Sequence, residues 1–353
     1  MDLAGMLGSL RDEVQDLFPD LHGHQVKTLS EAVLAMIAVG HSQLSRMALV
    51  DFGTATVPSG ERRFQRLVAN VRLNMPELVE VWSGAVLADP SQMTLILDET
   101  PKHNDLRAMK LCRQVRGRAV PVIWSCYKPD ALPMPQDALV LDLLQRAAEA
   151  MSANSEPTLL ADRGLSWPEV LDFCVEHHWH YVLRVQSQTR VKLDDGRVLS
   201  IGELVPKCGN TWRGQGCVFK KAGWRRTNIV AYWAGTAKEP WLLISDLPPS
   251  RLRCQQYRKR MRVEESFRDE KSHGFQWQQS RIRDPSHAMR LLLVMALAMR
   301  YLIRLGQYLI RSGQRTKFER QDRRNLSVFQ LGLRSVLHCC HRARPPPPAK
   351  SVG

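Results

Sequence analysis

Apolar residues recur at helical spacing through the first 90 residues, and the period changes near Met93. Thr28 to Leu49 carries the apolar face of a helix with a glycine interruption, and Ser59 is placed to cap a following helix, ERRFQRLVANV. That second helix has Arg62, Arg63 and Arg66 on its first turns. Helix, loop and basic helix predict a DNA-reading module as readily as a plain helical bundle with a solvated basic face.

From Met93 the pattern is of strands alternating with helices. MTLILD is a short apolar run ending in Asp98, AVPVIWSCY is a second strand, and Asp137 to Met151 is a helix. TLLAD ends in Asp162, Trp167 to His177 is a helix opened by Ser166 and Pro168, and WHYVLRV is a further strand. This order predicts an α/β layer. Gln186 to about Pro249 then reads as a small β-rich insertion with a hairpin turn at Asp195-Gly196. Helices return at Arg251 to Lys271 and at His287 to Ile310, and the tail from Arg342, with Pro345 to Pro348, is expected to be disordered.

Charge changes the picture. The 353 residues carry a net +15, which favours a polyanionic partner. Arg251 to Arg344 holds 22 Lys/Arg against 7 Asp/Glu, whereas Met1 to Ser250 is balanced at 27 against 28. The surplus therefore lies in the last third, as nucleic-acid contact would place it; a general solubility bias is the alternative. The 8 cysteines show no C-x2-C pair and fit reduced thiols of a cytoplasmic protein. His338, Cys339, Cys340 and His341 are too crowded to wrap one zinc ion. No apolar run reaches the roughly 18 residues of a membrane span, because Arg290, Arg300 and Arg304 interrupt the longest one.

Two strand-ending carboxylates in one layer suit a pair of magnesium ions roughly 4 Å apart, the arrangement that drives phosphodiester cleavage. Singly, each aspartate is equally a turn or cap acid. The segment from Tyr257 to Lys271 adds a third acid. Tyr257, Arg260, Glu264 and Lys271 are separated by 3, 4 and 7 residues. On a helix at about 100° per residue these side chains fall within roughly 60° of one another. One face would then present a phenol, a guanidinium, a carboxylate and an ammonium. An exposed helix with i, i+4 pairs such as Arg260–Glu264 is the plainer alternative.

The spacing Y-x2-R-x3-E-x6-K at these four residues resembles the signature of the insertion-sequence-4 type of DDE transposases. The contexts LILDET around Asp98, LLADRG around Asp162, WLLISDL and GFQWQQSRIRDP are similar to that family too. The resemblance covers about residues 90–310. It implies a ribonuclease-H-like catalytic core interrupted by a β-rich insertion, with a helical N-terminal domain. Asp98, Asp162 and Glu264 would hold two Mg2+ ions, with Mn2+ able to substitute, while Tyr257, Arg260 and Lys271 would hold DNA phosphates. Some members of the family stack a flipped base on a tryptophan in the insertion. Trp212, Trp224 and Trp233 are candidates, Trp224 first because Arg225 and Arg226 flank it; filling the core of a small sheet is the alternative.

The implied parse is residues 1–90 as a DNA-binding domain, 91–185 as the first part of the core, and 186–249 as the insertion. Residues 250–311 would be the core helices with the signature, and 312–353 a basic, partly disordered segment. The expected partners are double-stranded DNA, as terminal inverted repeats and target, and a second copy of the chain in the assembled complex. The expected activity is metal-dependent cleavage of element ends and strand transfer. A catalytically inactive DNA-binding derivative of a transposase and a stand-alone nuclease remain as alternatives.

Overall fold

The computed structural model describes residues 3–52, 56–89, 93–103, 105–153, 155–261 and 274–342. Glu264, Lys271 and the proline run lie outside them. The chain forms two compact units, Trp82–Ser266 and Met1–Val81 with Phe267–Gly353.

The first of these is built on one 10-stranded sheet among the described residues, in the order β3-β2-β1-β4-β5-β10-β9-β8-β6-β7. β1 (Thr94–Lys102), β2 (Leu106–Val115) and β3 (Arg118–Tyr127) form an antiparallel meander. β4 (Thr158–Ala161) and β5 (His180–Arg184) run parallel to β1, and the chain reaches them through α6 (Gln136–Ala150) and α7 (Pro168–Glu176). Leu95, Ile96, Leu97, Leu159, Leu160, Val182 and Leu183 are fully buried, which explains why these strands read as unbroken apolar runs.

The segment expected as an insertion continues the same sheet. β10 (Trp241–Ser245) pairs antiparallel with β5. β9 (Arg225–Tyr232), β8 (Thr211–Val218), β6 (Arg190–Leu193) and β7 (Val198–Ser200) extend it outward. Gly196 at φ +86° closes the β6–β7 hairpin at the expected Asp195-Gly196 turn.

Three local readings are corrected. β1 does not end at Asp98 but runs on to Lys102 through its pairing with β2; only its parallel pairing with β4 stops, at Leu97↔Ala161. The helix expected over Arg251–Lys271 is interrupted: α8 is Arg251–Arg258, the N–H groups of Lys259 and Arg260 bond three residues back, to Gln256 and Tyr257, and Met261 is helical again, while residues 262–271 lie outside the described residues. Ser166 does not cap α7; its hydroxyl donates to the Asp162 carbonyl at 2.9 Å.

The other unit is helical among its described residues. It contains α1 (Leu3–Leu17), α2 (Gly23–Val39), α3 (Leu44–Met47) and α4 (Val57–Ala69), with α9 (Pro285–Arg311) and α10 (Val328–Arg342); α5 (Met75–Leu87) spans the division between the units. The glycine interruption falls at Gly40, which leaves α2 at φ +60°. α4 starts at Val57, two residues before the expected Ser59 cap, with Pro58 in its first turn. Asp284 caps α9 by accepting from the His287 N–H at 2.9 Å. The arginines that interrupt the apolar run of α9 are engaged. Arg290 donates to the carbonyls of Val68 and Ser286, and Arg300 and Arg304 reach Glu13 of α1. No helix among the described residues is long and apolar enough to cross a membrane.

Candidate active site on the parallel strands

Alternation along a strand puts residues 94, 96 and 98 of β1, 158, 160 and 162 at β4, and 180, 182 and 184 of β5 on one face. Asp98, Asp162 and Arg184 thus stand side by side where the parallel pairing ends. α8 packs over this face. Its Tyr257 is buried edge-on against Trp241 of β10, with ring centroids 5.4 Å apart. From there the Tyr257 hydroxyl donates to Asp162 Oδ1 at 3.1 Å.

Arg260 follows in the turn after α8. A single nitrogen, Nη2, lies 3.0 Å from Asp98 Oδ2 and 3.3 Å from Asp162 Oδ2. The guanidinium is buried between two part-buried carboxylates, its side chain 10% exposed against 13% for Asp98 and 29% for Asp162. The carboxylates are fixed further by the backbone, because the Glu99 N–H donates to Asp98 Oδ1 at 2.9 Å and the Arg163 N–H to Asp162 Oδ1 at 2.8 Å. Four of the seven residues singled out from sequence, Asp98, Asp162, Tyr257 and Arg260, therefore meet at one place. Glu264 and Lys271 lie outside the described residues.

Trp224 stands elsewhere, just before β9. The two arginines that made it the first choice are already engaged, Arg225 with Asp172 and Arg226 with Asp194, each at 2.8 Å. Trp233 donates its indole N–H to the Ala237 carbonyl at 3.0 Å.

The structure adds residues that the sequence reading passed over. Arg184 lies 3.7 Å from Asp162 and 3.0 Å from Glu239, and Glu239 also takes Arg163 at 2.6 Å. Arg184 closes the third parallel strand in the same position as the aspartates, so extending the strand-end test to WHYVLRV would have found it. Fully buried Lys110 is the register partner of Asp98 across β2. Next along β1, Glu99 accepts from Arg107 at 2.6 Å and from the Tyr127 hydroxyl.

Burial pushes the Asp162 carboxyl upward, but the Arg260 charge, the Arg163 N–H, Arg184 and the Tyr257 hydroxyl outweigh it and hold it below its ordinary 3.8. The Tyr257 phenol is pushed the other way, first by burial and then by the Asp162 charge, so it remains a donor throughout the neutral range. A carboxyl depressed in the fold stabilises it above the ordinary carboxyl pKa, and that contribution is lost as pH falls through the lower folded value. Between about pH 5 and about pH 3, the melting temperature of the metal-free protein should therefore fall more for wild type than for Asp162→Asn. Equal falls would mean that Asp162 is not held in its charged form.

Residues 134–300 match the family model described as Transposase DDE domain. The matched stretch takes in Asp162, Tyr257, Arg260 and Glu264 and begins after Asp98. No curated protein matches the chain.

Proposed function

We propose, from the match of residues 134–300 to a transposase DDE domain, that this protein is a DNA transposase that cuts element ends and joins them to target DNA. The observation that carries the mechanism is the meeting of Asp98 and Asp162 on one buried cationic nitrogen. In support of a ribonuclease-H-like core stands the strand order β3-β2-β1-β4-β5, an antiparallel meander followed by two strands parallel to β1.

The donors suit a hard divalent cation, being carboxylate oxygens that already converge on a positive charge. Asp98, Asp162 and Glu264 would hold two Mg2+ ions, or Mn2+ in their place. Bound there, the ions would supply activation of the attacking oxygen and neutralisation of the leaving one. The chain's own residues do the positioning. Tyr257 orients Asp162 through its hydroxyl, and Glu239 steadies Arg184 and Arg163 beside the same carboxylate. A guanidinium that donates to two carboxylates can equally donate to a phosphate, so Arg260 would serve the DNA strand when another cation holds the aspartates. Lys271 would contact a neighbouring phosphate, and Trp224 would stack a displaced base.

DNA would be held by the basic last third and by α4. Arg63 is spent on buried Glu31, at 2.8 Å, whereas Arg62 and Arg66 are exposed. Arg66 also lines a groove of about 700 Å³ with His24, Thr28 and Ser59. The assembled complex would contain two copies of the chain, one for each element end.

The test is cleavage of a labelled duplex carrying the element's own terminal repeat, in magnesium, by wild type and Glu264→Gln. Cleavage by wild type alone, with equal DNA binding, is expected. Binding without cleavage by either protein would replace this reading with that of an inactive DNA-binding derivative.

A further inference from the structure

The face of the sheet beneath α8 carries a second polar site, at the opposite end of the same strands. Thr94, Thr158 and His180 are register partners at the starts of β1, β4 and β5. Each stands four residues before Asp98, Asp162 or Arg184, so the two rows share a face. At about 3.3 Å per residue they are roughly 13 Å apart. Arg253, Gln256 and Lys259 close over the lower row and leave a cavity of about 340 Å³.

Arg253 is the telling member. It is 7% exposed, and its Nε and Nη1 are buried and donate to no acceptor. The carboxylate that influences it, Asp246, is taken by His180 Nδ1 at 2.6 Å and by the Tyr181 N–H at 2.9 Å. Gln256 Oε1 is buried without a partner as well. Keeping two buried N–H groups of a guanidinium without an acceptor is unfavourable, so the site favours a ligand that supplies one. Lys259 adds a second cation at the cavity, against one carboxylate, the exposed Glu156. Two cations, one of them a buried planar fork, together with two threonine hydroxyls, suit a tetrahedral oxyanion better than a neutral ligand.

We propose that this cavity binds a phosphate group, held by Arg253 and Lys259 over the Thr94–Thr158 row. The phosphate is a DNA backbone phosphodiester or free phosphate. The site stands on Arg253 and its surroundings whether or not the transposase reading holds.

The test compares full-length wild type, Arg253→Met and Lys259→Ala by melting temperature, in inorganic phosphate against chloride at matched ionic strength. Phosphate should raise the wild-type value saturably by several degrees, raise Lys259→Ala less, and leave Arg253→Met unmoved. In chloride Arg253→Met should melt no lower than wild type, because an apolar chain replaces an unsatisfied buried charge. Lys259→Ala keeps the comparison informative if Arg253→Met folds poorly. An equal phosphate shift in all three proteins, or none in wild type, overturns the proposal. The source is read from DNA affinity against salt. A backbone phosphate predicts a slope shallower by about 0.9 in Arg253→Met. An unchanged slope, with the phosphate shift present in wild type, assigns the site to free phosphate.

Discussion

Changing Asp98 to Asn should lower metal-dependent DNA cleavage by about 10³-fold or more and leave the metal-free protein folded. The first half follows from what a carboxylate does for a divalent ion. Charge stabilisation by a bound metal is worth several kcal/mol in the transition state, and each ~1.4 kcal/mol is tenfold in rate. The second half follows from the geometry around Arg260. That guanidinium is shared between two carboxylates, so with Asn at 98 it keeps Asp162 at 3.3 Å and an amide oxygen in place of the other acceptor. Arg260 is therefore not stranded. The melting temperature should stay within a few degrees of wild type, the span of about 1 kcal/mol for a unit of this size. Asp162→Asn should lose as much activity and somewhat more stability, because the fold favours the charged form of that carboxyl. Arg260→Gln is the contrasting case. It leaves two part-buried carboxylates together without the cation they share, so it should lower the metal-free melting temperature, and added magnesium should recover more of it than it adds to wild type. Activity retained in Asp98→Asn, or a collapse of its fold, would remove Asp98 from the chemistry.

How much of this site was legible in the sequence depended on burial. β1 and β4 are covered on both faces, so they appear as apolar runs, and an acid at the end of such a run is conspicuous. β2 was invisible for the opposite reason. Its sequence, LRAMKLCRQV, is broken by Arg107, Lys110 and Arg113, yet Lys110 is fully buried and the strand pairs along its whole length. A buried cation looks like a solvated one until its surroundings are known. The end of β1 was misplaced because Thr100, Pro101 and Lys102 look like a turn, while pairing with β2 holds them extended. Tyr257 and Arg260 were found through a helical spacing, although α8 stops at Arg258: Tyr257 reaches Asp162 from the last turn of α8, and Arg260 reaches the aspartates from the tighter turn that follows. The pairing of β10 with β5 joins residues about 60 apart, and nothing local encodes it. The same is true of Arg225 and Arg226, whose partners Asp172 and Asp194 lie 53 and 32 residues away.

Local sequence is equally silent about the tightest packing in the helical unit, where the largest stability effect is expected. Gly306 of α9 and Gly332 of α10 sit where the two helices cross. A Cβ added at Gly306 would lie 2.0 Å from the Val328 carbonyl oxygen, and one at Gly332 would lie 2.2 Å from that of Leu302. Both obstacles are backbone, so no rotamer change relieves them; the helices themselves would have to separate. Overpacking of side chains costs about 1–3 kcal/mol, and a clash with fixed backbone belongs at or above the upper end. Gly332→Ala and Gly306→Ala should each lower the melting temperature of the helical unit by ten degrees or so, at about 4 °C per kcal/mol. The clean comparison is Gly8→Ala in α1, where an added Cβ meets nothing within 4 Å. There the usual helical preference for alanine over glycine, up to about 1 kcal/mol, should raise the melting temperature instead. Opposite signs for one substitution in three helices separate packing from propensity. If Gly332→Ala were neutral, α10 would not be seated against α9 as described, and the buried Phe329, Leu331 and Val336 on it would need another partner.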